Sequence, residues 1–106
     1  MEKPGFYRGR HYSDYTDNIR MLVGEGKFDV LERLLLRLVS TAEQENIATR
    51  SGVAAWPYDL LGALYHDEHA YVKEAAIYER FSRQSHTPDR FLFVNRLARA
   101  RGMLLA

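Results

Sequence analysis

The sequence predicts an all-α protein of five helices, arranged as two antiparallel helix hairpins followed by a C-terminal helix that caps them. Three observations carry this reading. Apolar residues recur at three-and-four spacing along most of the 106 residues. The 3 prolines and 7 glycines fall mostly at the edges of those runs. Between them Leu, Ala, Arg and Glu dominate, which are good helix formers, and no stretch reads as a strand.

The first helix is expected from Asp14 to Val23, with Ser13 as N-cap, Asp14 and Asp17 at the positive end of the dipole, and Tyr15, Ile19 and Leu22 as its apolar stripe. Gly24-Glu25-Gly26 stops it. A second helix is expected from Phe28 to Glu45, where Leu31, Leu34, Leu35, Leu38 and Ala42 share a face and Leu36 falls on the far side. Residues 46–56, with Thr49, Arg50, Ser51 and Gly52, form a loop. Pro57 suits the first turn of a third helix carrying Leu60, Leu61, Leu64 and Tyr65 as far as the polar corner His66-Asp67-Glu68-His69. A fourth helix spans Ala70 to Arg83, with Ala75, Tyr78 and Phe81 inward. Thr87 caps and Pro88 opens a fifth, reaching Leu105, with Phe93, Leu97, Ala100 and Leu104 as its stripe. Short connectors make neighbouring helices antiparallel.

The length fits one domain, residues 13–106, behind a basic N-terminal arm, residues 1–12. With no cysteine the chain has no disulfide scaffold, no thiolate zinc site and no Cys nucleophile. No apolar run approaches the roughly 18–20 residues of a membrane span, and the polar start Met1-Glu2-Lys3-Pro4-Gly5 is no signal peptide, so a soluble cytoplasmic protein is expected. The net charge of +1 conceals an uneven distribution. Residues 1–12 set Lys3, Arg8 and Arg10 against Glu2, and residues 80–106 set Arg80, Arg83, Arg90, Arg96, Arg99 and Arg101 against Asp89, so the body between them is acidic. Such a basic end either meets an acidic or nucleic-acid partner or is neutralised by the body itself.

The segment Tyr58-Asp59-Leu60-Leu61-Gly62-Ala63-Leu64-Tyr65, followed by Tyr71, Ala75, Tyr78 and Pro88, resembles a tetratricopeptide repeat: Leu61, Gly62, Tyr65 and Tyr71 match in identity and spacing. The family's turn glycine is replaced by His69, and its small residue on the second helix comes one position late, at Ala75. The first hairpin matches at Tyr15, Leu22, Gly26, Phe28, Leu31 and Leu35, but Asn18-Ile19 stands for Leu-Gly. The two units start at Tyr15 and Tyr58, an offset longer than the family's period of about 34 residues, so the repeat is degenerate. Residues 12–88 as a whole look like tetratricopeptide-like segments of actinobacterial and bacteriophage proteins.

The resemblance implies a concave groove that grips peptides, lined by Ser13, Thr16, Arg20 and Val23 from the first hairpin and Trp56, Asp59, Ala63 and His66 from the second. The Lys and Asn pattern with which some members hold a chain terminus is missing. Trp56 and Arg20 form an aromatic and cationic anchor pair, or Trp56 closes the core beneath the loop. The expected function is non-enzymatic: a bacterial or phage adaptor or regulator holding a protein or peptide, with no cofactor. His66 and His69 beside Asp67 and Glu68 have no metal-helix pattern, and no metal is expected there. Two alternatives stand beside this one. Arg8 and Arg10, interleaved with aromatics, and Arg90, Arg96, Arg99 and Arg101 could contact nucleic acid, or the surplus apolar residues of the last helix could make a homo-oligomer.

Overall fold

The computed structural model describes residues 3–105. A two-stranded hairpin, β1 (Phe6–Tyr7) and β2 (Arg10–His11), leads into a 3-10 helix (Tyr12–Tyr15) and five α-helices: α1 (Thr16–Gly24), α2 (Phe28–Thr49), α3 (Trp56–Asp67), α4 (Tyr71–Ser82) and α5 (Val94–Leu105). The fold is all-α apart from that hairpin. Each helix packs on the next in sequence, and the hairpin rests on α2. None of the described helices is long and apolar enough to cross a membrane.

The backbone of the arrangement is α2. Leu31, Leu35, Leu38, Val39 and Ala42 repeat along it at helical spacing and are buried against Tyr58, Leu61 and Tyr65 of α3 and Ile77, Tyr78 and Phe81 of α4. On the same side it carries two carboxylates three turns apart. Glu32 accepts from the Tyr65 hydroxyl (2.7 Å) and from Lys73 Nζ (3.3 Å). Glu43 accepts from the Tyr58 hydroxyl (2.8 Å) and, bidentately, from Arg80 Nε and Nη2 (both 2.8 Å). The start of α2 thus meets the end of α3, and the end of α2 meets the start of α3, so these two helices are antiparallel. By the same reasoning α4, which brings Lys73 to Glu32 and Arg80 to Glu43, runs parallel to α2.

Gly62 allows α3 and α4 to close: a Cβ there would lie 2.3 Å from the Tyr78 ring. Phe93, just before α5, completes the end of this core by stacking on Tyr78 (centroids 5.1 Å apart) and meeting Phe81 edge-on (5.0 Å).

Several sequence expectations are corrected. The arm is not strandless: Arg8 and Gly9, both with positive φ (50° and 81°), turn a hairpin as in a type I′ turn, and the Tyr15 hydroxyl donates to the Tyr7 carbonyl. Ser13 does not open the first α-helix; its backbone N–H donates to His11 Nδ1, and a 3-10 turn precedes Thr16. The second helix continues past Glu45 to Thr49 because Asn46 is buried and bonds forward, Nδ2 to the Ser85 carbonyl and Oδ1 from the Gly52 N–H (both 2.7 Å). The last helix begins at Val94 rather than Pro88. Thr87 Oγ1 accepts from the Val53 N–H (3.2 Å), tying that segment to the loop before α3, and turns over residues 88–93 bring Phe93 inward. Leu104, expected on the buried stripe, is exposed, and Ala100 is the buried residue of α5.

The Tyr58 and Tyr65 hydroxyls are held well above the ordinary tyrosine range, first by burial and then by Glu43 and Glu32. Below about pH 10 both folded and unfolded chains keep these protons and the stabilisation is complete; above it the unfolded chain ionises first, so stability falls as pH rises. Tyr58→Phe combined with Tyr65→Phe is expected to lower the unfolding free energy at neutral pH by about 1 kcal/mol per lost hydrogen bond, and to flatten its decline at alkaline pH. Denaturation of both proteins at neutral and alkaline pH checks this.

Candidate functional site

Two open clefts flank the short helix α1. It has nine residues and buries only Ile19, so it covers the start of α2 incompletely. On one side lies an apolar cleft of about 170 Å³. Ile19 and Val23 of α1, Phe28, Leu31 and Leu35 of α2, and Leu60 and Leu64 of α3 line it, with Asp67 as the polar lining residue. Val23, Phe28 and Leu60 are 49%, 43% and 41% exposed, so three large apolar side chains stand at the surface of one cleft. On the other side the β-hairpin, α1 and α2 enclose about 600 Å³. Its apolar lining includes Met21, Leu22, Val30 and Leu34, and its cations are Arg8, Lys27, Arg33 and Arg37.

Of the eight groove residues expected from the sequence, Val23 alone lines one of these two clefts, and Ser13 and Thr16 are exposed at the N-terminal turn. Val23 lines the apolar cleft. Arg20 is exposed and pairs along its own helix with Asp17 at 3.5 Å. Trp56 is half-buried and stacks on Tyr12 with centroids 6.2 Å apart, so it joins the N-terminal turn to α3. Asp59 pairs with Arg96 of α5. Ala63 is exposed, and His66 Nδ1 lies 3.2 Å from Glu74 Oε1 on α4. Long-range partners therefore engage Trp56, Asp59 and His66. Phe28, Leu60 and Leu64 take their place at the apolar cleft; Leu60 and Leu64 belong to the apolar run expected of the third helix, and Phe28 opens the second.

The basic C-terminal segment is met by the acidic body. Arg80 pairs with Glu43, Arg96 with Asp59, Arg99 with the fully buried Glu74 and Arg101 with Glu79. Arg90 stands over the Phe91 ring at 5.3 Å. In the hairpin, Arg10 lies 4.2 Å from the Tyr15 ring centroid and donates to Asn18 Oδ1 at 2.8 Å, while Arg8 stands over Tyr7 at 5.4 Å. The surplus apolar residues beside and on the last helix, Phe91, Leu92 and Val94, are exposed. Among the described residues no three His, Asp or Glu side chains come together as a metal-binding group.

The groups whose protonation is displaced are Tyr12 in the 3-10 turn, the ion-paired Arg80 and Arg96, and three tyrosines between helices. Burial raises Tyr58, Tyr65 and Tyr78 above the ordinary tyrosine range, and neighbouring carboxylates add to the effect. Each is a hydroxyl held protonated between helices. No protein-family model, curated protein or solved structure matches the chain.

Adjacent residues of α3 separate the cleft from the core. Leu61 is fully buried and Leu60 is at the surface, so Leu61→Ala is expected to cost about 2–5 kcal/mol while Leu60→Ser stays within about 0.5 kcal/mol of the parent in urea denaturation.

Proposed function

We propose that this protein is a non-enzymatic binding module that holds an amphipathic helical segment of another protein in the apolar cleft between α1, α2 and α3. The observation that carries the proposal is the cluster of Val23, Phe28 and Leu60, three large apolar side chains exposed around one concavity. Isolated exposed apolar residues are ordinary, but a group lining one cleft is what a partner helix buries. Asp67 at the cleft gives the bound segment a polar neighbour. Binding rather than catalysis is favoured because Tyr58 and Tyr65, the most strongly displaced groups, serve as interhelical hydrogen-bond donors.

A degenerate tetratricopeptide-like architecture fits this role. Gly62 sits where the second helix of its hairpin comes closest, against Tyr78, and His69 adopts the left-handed conformation (φ 57°) at the turn position that the family gives to glycine. The groove is then displaced from the wall of Arg20, Trp56, Asp59 and His66 toward Val23, Phe28, Leu60 and Leu64. A bacterial or phage adaptor working in the cytoplasm is the setting in which such a module would serve.

Selection of a displayed random-peptide library on the protein, followed by fluorescence anisotropy of the enriched peptides, tests this. Peptides with apolar anchors at helical spacing are expected, and Val23→Glu combined with Leu60→Glu is expected to weaken them by about tenfold or more, with the helical circular dichroism retained. Enrichment of no peptide, or unchanged binding by the double variant, would sink the proposal.

A further inference from the structure

The larger cleft, on the other side of α1, carries a different chemistry. Arg33 and Arg37 lie one turn apart on α2, and both line it. A like-charged pair at that spacing weakens its own helix. Elsewhere in the fold the helical cations Arg20, Lys73, Arg80, Arg96, Arg99 and Arg101 each meet a carboxylate. Among the described residues the Arg33 and Arg37 guanidinium groups meet none. The one carboxylate lining the cleft, Glu25, is engaged by Lys27 at 3.0 Å. Across the cleft the hairpin presents Arg8 from a left-handed conformation (φ 50°), where a type I′ turn favours Asn, Asp or Gly. Beneath these cations lie Met21, Val30 and Leu34, of which Met21 and Val30 are exposed.

We propose that this cleft is a second docking surface, separate from the α1–α3 face, that takes an acidic amphipathic segment of a partner protein. Carboxylates on the flanks of the segment pair with Arg33, Arg37 and Arg8, and apolar side chains between them cover Met21, Val30 and Leu34. A guanidinium fork binds a carboxylate bidentately, and two forks one turn apart match acidic residues at the same spacing on a facing helix. The apolar floor favours a peptide over a nucleic-acid backbone, which would meet the cations and leave the floor uncovered.

The test titrates the 15N-labelled protein with a helical peptide bearing Leu on one face and Glu on both flanks. The comparison ligands are the same peptide with Lys in place of Glu and a single-stranded oligonucleotide. The Glu peptide is expected to shift the amides of Arg8, Met21 and residues 30–37, to bind more weakly as salt rises, and to lose about tenfold or more in affinity in Arg33→Glu combined with Arg37→Glu. Both arginines are exposed, so the fold should persist, and Arg33→Gln combined with Arg37→Gln should give an intermediate loss. The proposal is overturned by no binding, by equal binding of the Lys peptide, by tighter binding of the oligonucleotide, or by an affinity that the arginine variants leave unchanged. Shifts confined to Val23, Leu60 and Leu64 would also overturn it, while supporting the apolar cleft.

Discussion

Glu32 and Glu43 fix the register of the helical body. Each accepts a tyrosine hydroxyl from α3 and a cation from α4; Tyr58 and Tyr65 on α3 and Lys73 and Arg80 on α4 stand two turns apart, and their long side chains reach the two carboxylates three turns apart on α2. These contacts do not supply most of the stability. Burial of Leu35, Leu38, Val39 and Leu61 does so, at about 1.5–3 kcal/mol for each fully buried aliphatic side chain, against about 0.5–1.5 kcal/mol net for a hydrogen bond. Apolar contacts, however, tolerate sliding. A helix slipped by one turn would strand a carboxylate and a hydroxyl in a partly buried interface, and the paired rungs penalise that slip.

What α2 commits to α3 and α4 decides what it leaves open. The nine-residue α1 rests on the first turns of α2 with a cleft on either side. The side toward α3 is apolar, because Val23, Phe28 and Leu60 all line it. The side toward the β-hairpin is cationic, because the arginines on the outer face of α2 lie beyond the carboxylates that neutralise the rest of the molecule. Two chemically distinct clefts beside one helix are the surfaces on which the binding role proposed above rests.

Much of this was legible in the sequence, for identifiable reasons. The stripe Leu31, Leu35, Leu38 and Ala42 made α2 readable, Pro57 marked the start of α3, and the uneven charge offered as one of two alternatives the pairing with an acidic body that Arg96, Arg99 and Arg101 make. The misreadings trace to side chains with partners distant in sequence. Asn46 extends α2 through bonds to Ser85 and Gly52, Phe93 delays α5 by burying itself against Tyr78 and Phe81, and Arg8 turns a hairpin that carries no Asn-Gly signal. The same cause dispersed the expected groove. Trp56 faces Tyr12, Asp59 faces Arg96 and His66 faces Glu74, pairings that helical periodicity does not encode.

In the binding role proposed above, the α1–α3 face receives a partner while the interior of the fold stays as it is. Amide hydrogen exchange of the protein, free and saturated with a selected peptide, tests it most directly. Slowed exchange in residues 19–28 and 60–67, with the amides of α4 and α5 unchanged, is the predicted result. Slowing confined to α5 or to the N-terminal hairpin, or none at all, would contradict the account.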